Sequence, residues 1–255
     1  MKPIYKLTAR ITFPEGVAPG MGNSSNRQMI AKNGKDEILL RGSALAGVLR
    51  HTYARAINKK PDDEDVCHWF GCPQEEDIGK EALVQVADLV LESQAVSERT
   101  HNLINRHTGA VVDKGLFSIE AVPPGSSGKL SITVNPNAGR PPSEEPTPET
   151  LKNDTPEGLI MNDTKEFTTL LAGYITDGLL VGGSSNRGIG RMEVDGKLHL
   201  QAFAMDQLDG IATFLDAQYR ERRDGITVKG DTLNLSTSAD EKMSWSETAW
   251  KRTIC

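Results

Sequence analysis

The sequence predicts an α+β chain, and three observations carry that prediction. Residues 4–13 alternate, with Tyr5, Leu7, Ala9, Ile11 and Phe13 on an apolar face and Lys6, Thr8, Arg10 and Thr12 on a polar one, which is the period of a half-buried strand. Leu45, Val48, Leu49, Tyr53, Ala56 and Ile57 recur at helical spacing, and so do Phe167, Leu170, Leu171, Tyr174 and Ile175. Strand-like runs lie between and after these helices. The resulting order is strand, helix, strand, hairpin, strands, helix, strand: the βαββαβ plan of a ferredoxin-like (RRM-like) core, in which two helices cover one side of an antiparallel sheet.

Taken in order, the first strand is followed by residues 14–35, dense in turn formers and read as one long loop, a length more often functional than idle. Ser43 then stands as the N-cap of the first helix, and its start, preceded by Gly42 and flanked by Arg41, offers N–H groups and a positive dipole end to an anion. Residues 59–80 form an acidic, polar insertion that Trp69, Phe70 and Gly71 dock onto the body. Residues 82–92, rich in valine and leucine, read as a second strand. Residues 96–117 read as a hairpin turning near Thr108 and Gly109, with Arg99, His101, Arg106, His107 and Lys114 along it. Residues 116–122 and 129–134 are expected to pair across the turn Pro123-Pro124-Gly125, and residues 135–154 form a proline- and acid-rich exposed loop. The second helix, at 162–177, leads into a glycine-rich stretch and a strand through Leu200. Residues 1–202 are thereby expected to form the core domain, with a peripheral helix at 203–223 and a tail to 255, holding a short strand at 232–235, packed on it.

Apolar content of 37% and a mean hydropathy of −0.41 describe a globular chain, and no apolar run approaches membrane-spanning length. The N-terminus lacks a long apolar region with a small-residue cleavage site and reads as a strand, which places the chain in the cytoplasm with no membrane partner. The net charge of −6 conceals a partition. Residues 1–60 carry eleven Lys/Arg against three acids, and residues 61–98 carry one base against eleven acids. A basic groove on an acidic body produces such asymmetry, and so does charge clustering on ordinary solvated faces.

Residues 181–194, V-G-G-S-S-N-R-G-I-G-R-M-E-V, concentrate Gly182, Gly183, Gly188 and Gly190 beside Arg187 and Arg191. Glycines permit positive φ and expose N–H groups, and arginines offer forked donors, a combination suited to a backbone phosphate. No G-K-[ST] follows, and a helix precedes the stretch where a dinucleotide fingerprint needs a strand, so neither nucleotide motif applies. A glycine-rich hairpin without a ligand is the competing reading. Cys67, Cys72 and Cys255 give no disulfide framework and fit a reducing compartment. Cys67, His68 and Cys72 offer three zinc ligands where a structural site wants four, and incidental thiols in a partly buried loop are the plainer reading.

Three separated stretches resemble the RAMP superfamily, the repeat-associated proteins that form the RNA-binding backbone of type III CRISPR effector complexes. Leu40-Arg41-Gly42-Ser43-Ala44-Leu45-Ala46-Gly47-Val48-Leu49-Arg50 resembles its IPGSSLxGxLR segment. Residues 105–110 and 116–123 are similar to its IDRxTGxA and LFxxExVPxG pair, and residues 182–191 look like its closing glycine-rich loop. The resemblance, over about residues 1–200, implies a ferredoxin-like palm whose thumb hairpin wedges between bases and splays a guide:target duplex. It implies as partners a crRNA guide, a target single-stranded RNA, neighbouring backbone subunits, and large and small subunits. Carried over by position, Arg41, Ser43, Arg50, Gly183, Arg187, Gly188 and Arg191 hold guide phosphates, a recognition independent of base sequence. On the thumb, Arg106 joins His101 and His107, which stack on bases, meet phosphate or assist as acid or base.

The resemblance further implies target-RNA cleavage in the loop after the first strand, where a carboxylate positions a divalent ion such as Mg2+ or the attacking 2′-hydroxyl. Asn26 stands where that acid is expected, beside Arg27. An amide cannot take a proton or bind a metal as an anion at neutral pH. The subunit is then a natural noncutting one, or its acid was replaced to trap intact RNA, or a neighbour such as Asp36 serves. The alternatives to an RNA-guided scaffold are a stand-alone, metal-independent endoribonuclease that processes repeat RNA with histidine as general base, and a protein-interaction module.

Overall fold

A computed structural model describes residues 2–24, 27–72, 81–138, 163–183 and 188–223. In chain order the elements are β1 (Ile4–Phe13), β2 (Gly20–Ser24), β3 (Arg27–Ile30), β4 (Leu39–Leu40), α1 (Gly42–Ala56), α2 (Glu64–Phe70), β5 (Val84–Val86), β6 (Leu89–Val90), β7 (Ser97–Ile104), β8 (Val111–Ala121), β9 (Ser126–Val134), α3 (Thr164–Asp177), β10 (Leu179–Leu180), β11 (Arg191–Phe203) and α4 (Leu208–Arg223). The chain is thus a mixed α+β fold.

The main sheet has the order β10-β11-β1-β9-β5, antiparallel throughout. β1 lies at its centre. The face predicted to be apolar is buried: Leu7, Ile11 and Phe13 have no exposed surface, and Tyr5 and Ala9 very little. They meet Leu45, Leu49 and Tyr53 of α1 and Phe167, Leu171 and Ile175 of α3 in one core. On the opposite face α4 packs on β11, where Phe214 meets Phe203 edge to face with ring centroids 5.3 Å apart.

The acidic insertion docks as its aromatics predict. Asp63 caps α2 by accepting from the Asp65 N–H at 3.1 Å, and the helix delivers Trp69 into the core flat against Phe167. The Leu83 N–H then donates to the Trp69 carbonyl at 3.0 Å, which leads the chain into β5.

Four expectations are corrected. Residues 14–35 are no open loop: β2 and β3 pair within them and join β8 and β7 in a second sheet. Residues 82–92 divide into β5 and β6, which pair with β9 and β4 respectively, because the chain leaves one sheet at Ala87 and Asp88. Residues 116–122 do not pair with 129–134. β8 pairs with β7 and β3, and β9 lies between β1 and β5, so the turn at Pro123–Gly125 passes the chain from one sheet to the other. Cys67 and Cys72 are joined in a disulfide, Cα–Cα 5.1 Å, across the C-terminal end of α2, which removes both sulfurs as zinc ligands. The expected loop at 139–154 and strand at 232–235 lie outside the described residues.

Candidate nucleic-acid interface

Register places three motif-bearing connections at one end of the main sheet. Phe13, the last residue of β1, pairs with Ser126, the first of β9, and Thr12 pairs with Glu193 near the start of β11. The connections entering and leaving these strand ends are the β2–β3 hairpin, the thumb root and the glycine-rich loop.

The start of α1 is built by close approach. Gly42 abuts the Val86 carbonyl, and a Cβ there would collide with it. Arg41, extended at φ −63° and ψ 135°, takes the N-cap position with no side-chain cap bond. Ser43 is therefore not the cap but an exposed residue inside the first turn. Asp88, on the bend between β5 and β6, supplies the cap from a distant segment, its Oδ1 accepting from the Gly42 N–H at 2.7 Å. The first amide and the positive dipole end thus already face a carboxylate of the chain. Arg50 is also engaged, donating through Nε to the Pro61 carbonyl at 2.8 Å and through Nη2 to Cys67 Sγ at 3.5 Å, so it joins α1 to the turn before α2.

The hairpin expected at 96–117 as a thumb is formed by β7 and β8. Its tip closes on Asn105, whose Oδ1 accepts from the His107 N–H at 2.9 Å and whose carbonyl accepts from the N–H of Gly109, a residue at φ +67°. Arg106 and His107 are exposed there, and Leu103, Ile104, Val111 and Leu116 are exposed apolar side chains along the strands. At the root, His101 stacks on Phe117 with centroids 5.5 Å apart and planes inclined by 26°. β3 braces that root in parallel, with Arg27 opposite Ser118 and Gln28 opposite Ile119, and the Ile30 N–H donates to Glu120 Oε2 at 3.0 Å.

The glycine-rich loop closes onto the segment after β1. The N–H of Gly183 donates to the Ala18 carbonyl at 2.8 Å, and that of Gly190 to the Gly16 carbonyl at 2.8 Å. These amides hold protein, where free phosphate donors were expected. Ile189, Ala18, Ile119 and Ala121 form a small apolar cluster, with Phe117 against it, that seals the loop to the thumb root. Gly188 is exposed at φ +79°. Arg191 Nε donates to Glu193 Oε1 at 2.6 Å. Nearby on β1, Arg10 bonds Glu92 at 2.7 Å, Ser127 at 3.0 Å and Asp195 at 3.2 Å, and the Ser127 hydroxyl and Arg10 together hold the Glu92 carboxyl below its usual range. Arg187 and Asn26 lie outside the described residues, as does the side chain of Arg27.

The structure therefore unites the loop after β1, the thumb root and the glycine-rich loop through side chains in contact. The start of α1 lies apart from this junction, because Gly42 abuts Val86, which pairs with Ile132 level with Leu7 rather than with the Phe13 end of β1. Sequence reasoning missed Asp88, the acid that caps α1. Its signal was a bend-forming Ala-Asp pair interrupting a valine-rich run.

Among the described residues no donor set fits a divalent ion. Asn26 brings a neutral amide, Asp36 sits at φ +64° with its carboxylate bonded to Lys32 Nζ at 2.9 Å, and no group of three or more His, Cys, Asp or Glu side chains among the described residues is arranged to hold a metal. No helix among the described residues is long and apolar enough to cross a membrane.

A family model described as the RAMP superfamily matches residues 19–193, more than half of the chain. No curated protein matches.

Proposed function

The chain belongs to the RAMP superfamily, and we propose from that premise that it is a guide-RNA-binding backbone subunit of a type III CRISPR effector complex. Membership suggests a CRISPR RNA-binding role; the subunit assignment is our reading. We read β1, α1, β5, β9, α3 and β11, in the sheet order β11-β1-β9-β5, as the ferredoxin-like palm, and β7–β8 as the thumb.

The observation that carries the proposal is the contact of Ala18, Ile119, Ala121 and Ile189. It ties the loop after β1 to the thumb and to the glycine-rich loop, so an RNA strand held beside any one of them passes the other two. Asn26 belongs to the two-residue connection between β2 and β3, outside the described residues. In our reading that connection faces target RNA without the acid needed to cut it, and the subunit acts as scaffold. Guide RNA, target RNA, neighbouring copies and the large and small subunits are its partners.

The test assembles the chain with its complex and a matched target RNA and compares Asn26 with Asn26→Asp, with and without Mg2+. Cleavage that appears only with aspartate and metal supports a noncutting subunit whose catalytic position is 26. Cleavage by the isolated chain without metal would instead favour the repeat-processing endoribonuclease. No cut from either version with guide binding intact leaves the scaffold role and removes position 26 as the catalytic one.

A further inference from the structure

We propose that Cys67 and Cys72 form a reversible thiol–disulfide site, in which Cys72 is the sulfur that exchanges with a low-molecular-weight disulfide of the glutathione class and Cys67, held by Arg50, is the sulfur that closes the bond. The inference is independent of RNA binding. Two observations separate this pair from a structural staple. The chain has a large apolar core and one further cysteine, Cys255, so the bond belongs to no disulfide framework. It also joins positions five apart, and a loop that short is stabilised least by cross-linking.

The two sulfurs differ in their surroundings. Cys67 lies inside α2 with 1% of its surface exposed, whereas Cys72, two residues past the end of that helix, is half-buried. Gly71, at φ +74°, turns the chain so that Cys72 comes back over the helix end with a Cα–Cα separation of 5.1 Å. An external disulfide therefore reaches Cys72 and not Cys67. Arg50 approaches Cys67 from α1, its Nη2 3.5 Å from Sγ while its Nε donates to the Pro61 carbonyl, which fixes the guanidinium beside the sulfur. A cation there favours the thiolate, the form that attacks. The Asp62 carbonyl, 3.5 Å from the same sulfur, can accept the S–H of the protonated form. Other charged groups about this helix do not cancel the guanidinium: Asp63 and Asp65 are paired with Lys59, and Lys60, Asp62, Glu64 and His68 are exposed.

The exchange balances with that one reagent. The Cys72 thiolate attacks one sulfur of the external disulfide, forming a mixed disulfide and releasing the first thiolate. The Cys67 thiolate then attacks the Cys72 sulfur and releases the second. The protein dithiol is oxidised by two electrons, the small disulfide is reduced by two, and the two protein thiol protons end on the two released thiols. Excess small thiol runs both steps backward, with Cys67 as the leaving thiolate beside the same guanidinium. The bond bears on the core directly, because Trp69 lies between the two cysteines and stacks on Phe167. Reduction releases the clamp across the end of the helix that carries it.

The test equilibrates the full chain, in a Cys255→Ser background, with mixtures of reduced and oxidised glutathione, then quenches in acid, alkylates and maps the thiols by mass spectrometry. We expect the pair to interconvert reversibly in native buffer, faster than the chain unfolds. Cys67→Ser accumulates glutathione on Cys72, and Cys72→Ser takes up about tenfold less on Cys67. Arg50→Gln slows closure about threefold to tenfold at pH 7 and moves the levelling of its pH profile upward, and Arg50→Lys restores most of the rate. Hydrogen exchange in α2 rises on reduction and falls on reoxidation. A pair that stays in one state across the series, or exchanges only at the rate of global unfolding, overturns the proposal. Equal glutathione uptake by the two single cysteine variants does so too, as does an unchanged closure rate and pH profile in Arg50→Gln. An Arg50→Gln chain that does not fold leaves the decision to the cysteine variants.

Discussion

The N–H of Val181 donates to the carbonyl of Gly190 at 2.8 Å, and Gly190 holds φ +91° with its α-carbon so near the Val181 carbonyl that a Cβ could not be accommodated. This one pair closes the glycine-rich loop on itself while the Gly190 N–H ties it to Gly16. Gly190→Ala therefore meets both an unfavourable backbone angle and a backbone collision, and we expect it to lose about 2–3 kcal/mol of unfolding free energy. Gly188→Ala shares the positive φ but meets open space, so about 1 kcal/mol is expected. Urea titration of the two variants checks the ranking, and equal losses would mean that the collision is relieved by loop movement.

Trp69 lies flat on Phe167 with ring centroids 3.8 Å apart and planes within 4°, and it has 1% of its surface exposed. It is the main side chain by which α2 enters the core. Trp69→Ala should cost about 3–5 kcal/mol, the range for deleting a large buried aromatic. Trp69→Phe, which preserves a stacked ring, should cost less than half of that. A chevron or equilibrium urea series distinguishes the two.

Asp88 accepts the Gly42 N–H that would otherwise be the first free donor of α1. Asp88→Ala should destabilise by about 1 kcal/mol, as loss of an N-cap acceptor does. Asp88→Asn keeps an acceptor oxygen and should cost only part of this. Faster hydrogen exchange in the first turn of α1 in the alanine variant would locate the effect.

The Cys67–Cys72 bond closes a short loop at the end of α2. A loop this small contributes about 2 kcal/mol through the unfolded chain. We expect the denatured, non-reduced protein to titrate one thiol per chain, the three cysteines less the bonded pair, and a reductant to lower its urea midpoint accordingly. Three thiols titrating in the folded, non-reduced chain would show that the bond does not form.

Burial, with a smaller effect from neighbouring Tyr53, pushes Tyr174 up to about 12 from an ordinary 10.0. Below pH 10 both states keep the proton, and Tyr174 adds no pH dependence. Above it the unfolded chain loses the proton while the fold retains it, so the unfolded state binds fewer protons and stability falls as pH rises toward 12. Tyr174→Phe should flatten that alkaline fall and leave stability at neutral pH within about 1.5 kcal/mol of wild type. A stability-pH curve for the two proteins, taken between pH 8 and 12, tests the sign.

Within the candidate interface, sequence reading reached the stretches and missed their wiring. The α1 segment, the thumb turn at Gly109 and the glycine-rich loop were all legible, because their residue types constrain local backbone or surface chemistry. Ser43 looked like a cap because Ser is a favoured one, yet the cap comes from Asp88, forty-six positions after the Gly42 it bonds. The resemblance assigns Arg50 and Arg191 to guide phosphates by position alone, and their partners Pro61 and Glu193 became known only with side chains in place.

By itself the sequence determined the alternating strand at 4–13, the two amphipathic helices over α1 and α3, and the docking of the insertion through Trp69 and Phe70. Periodicity is local, and a face that is apolar at period 2.0 or 3.6 must be buried whatever buries it. Only the tertiary structure decided that residues 116–121 join β7 and β3 rather than β9, that the Gly183 and Gly190 amides bond Ala18 and Gly16, and that Cys67 meets Cys72. A strand or an amide can bond any complementary edge brought within about 3 Å, and which edge arrives is settled by how the whole chain closes around its core.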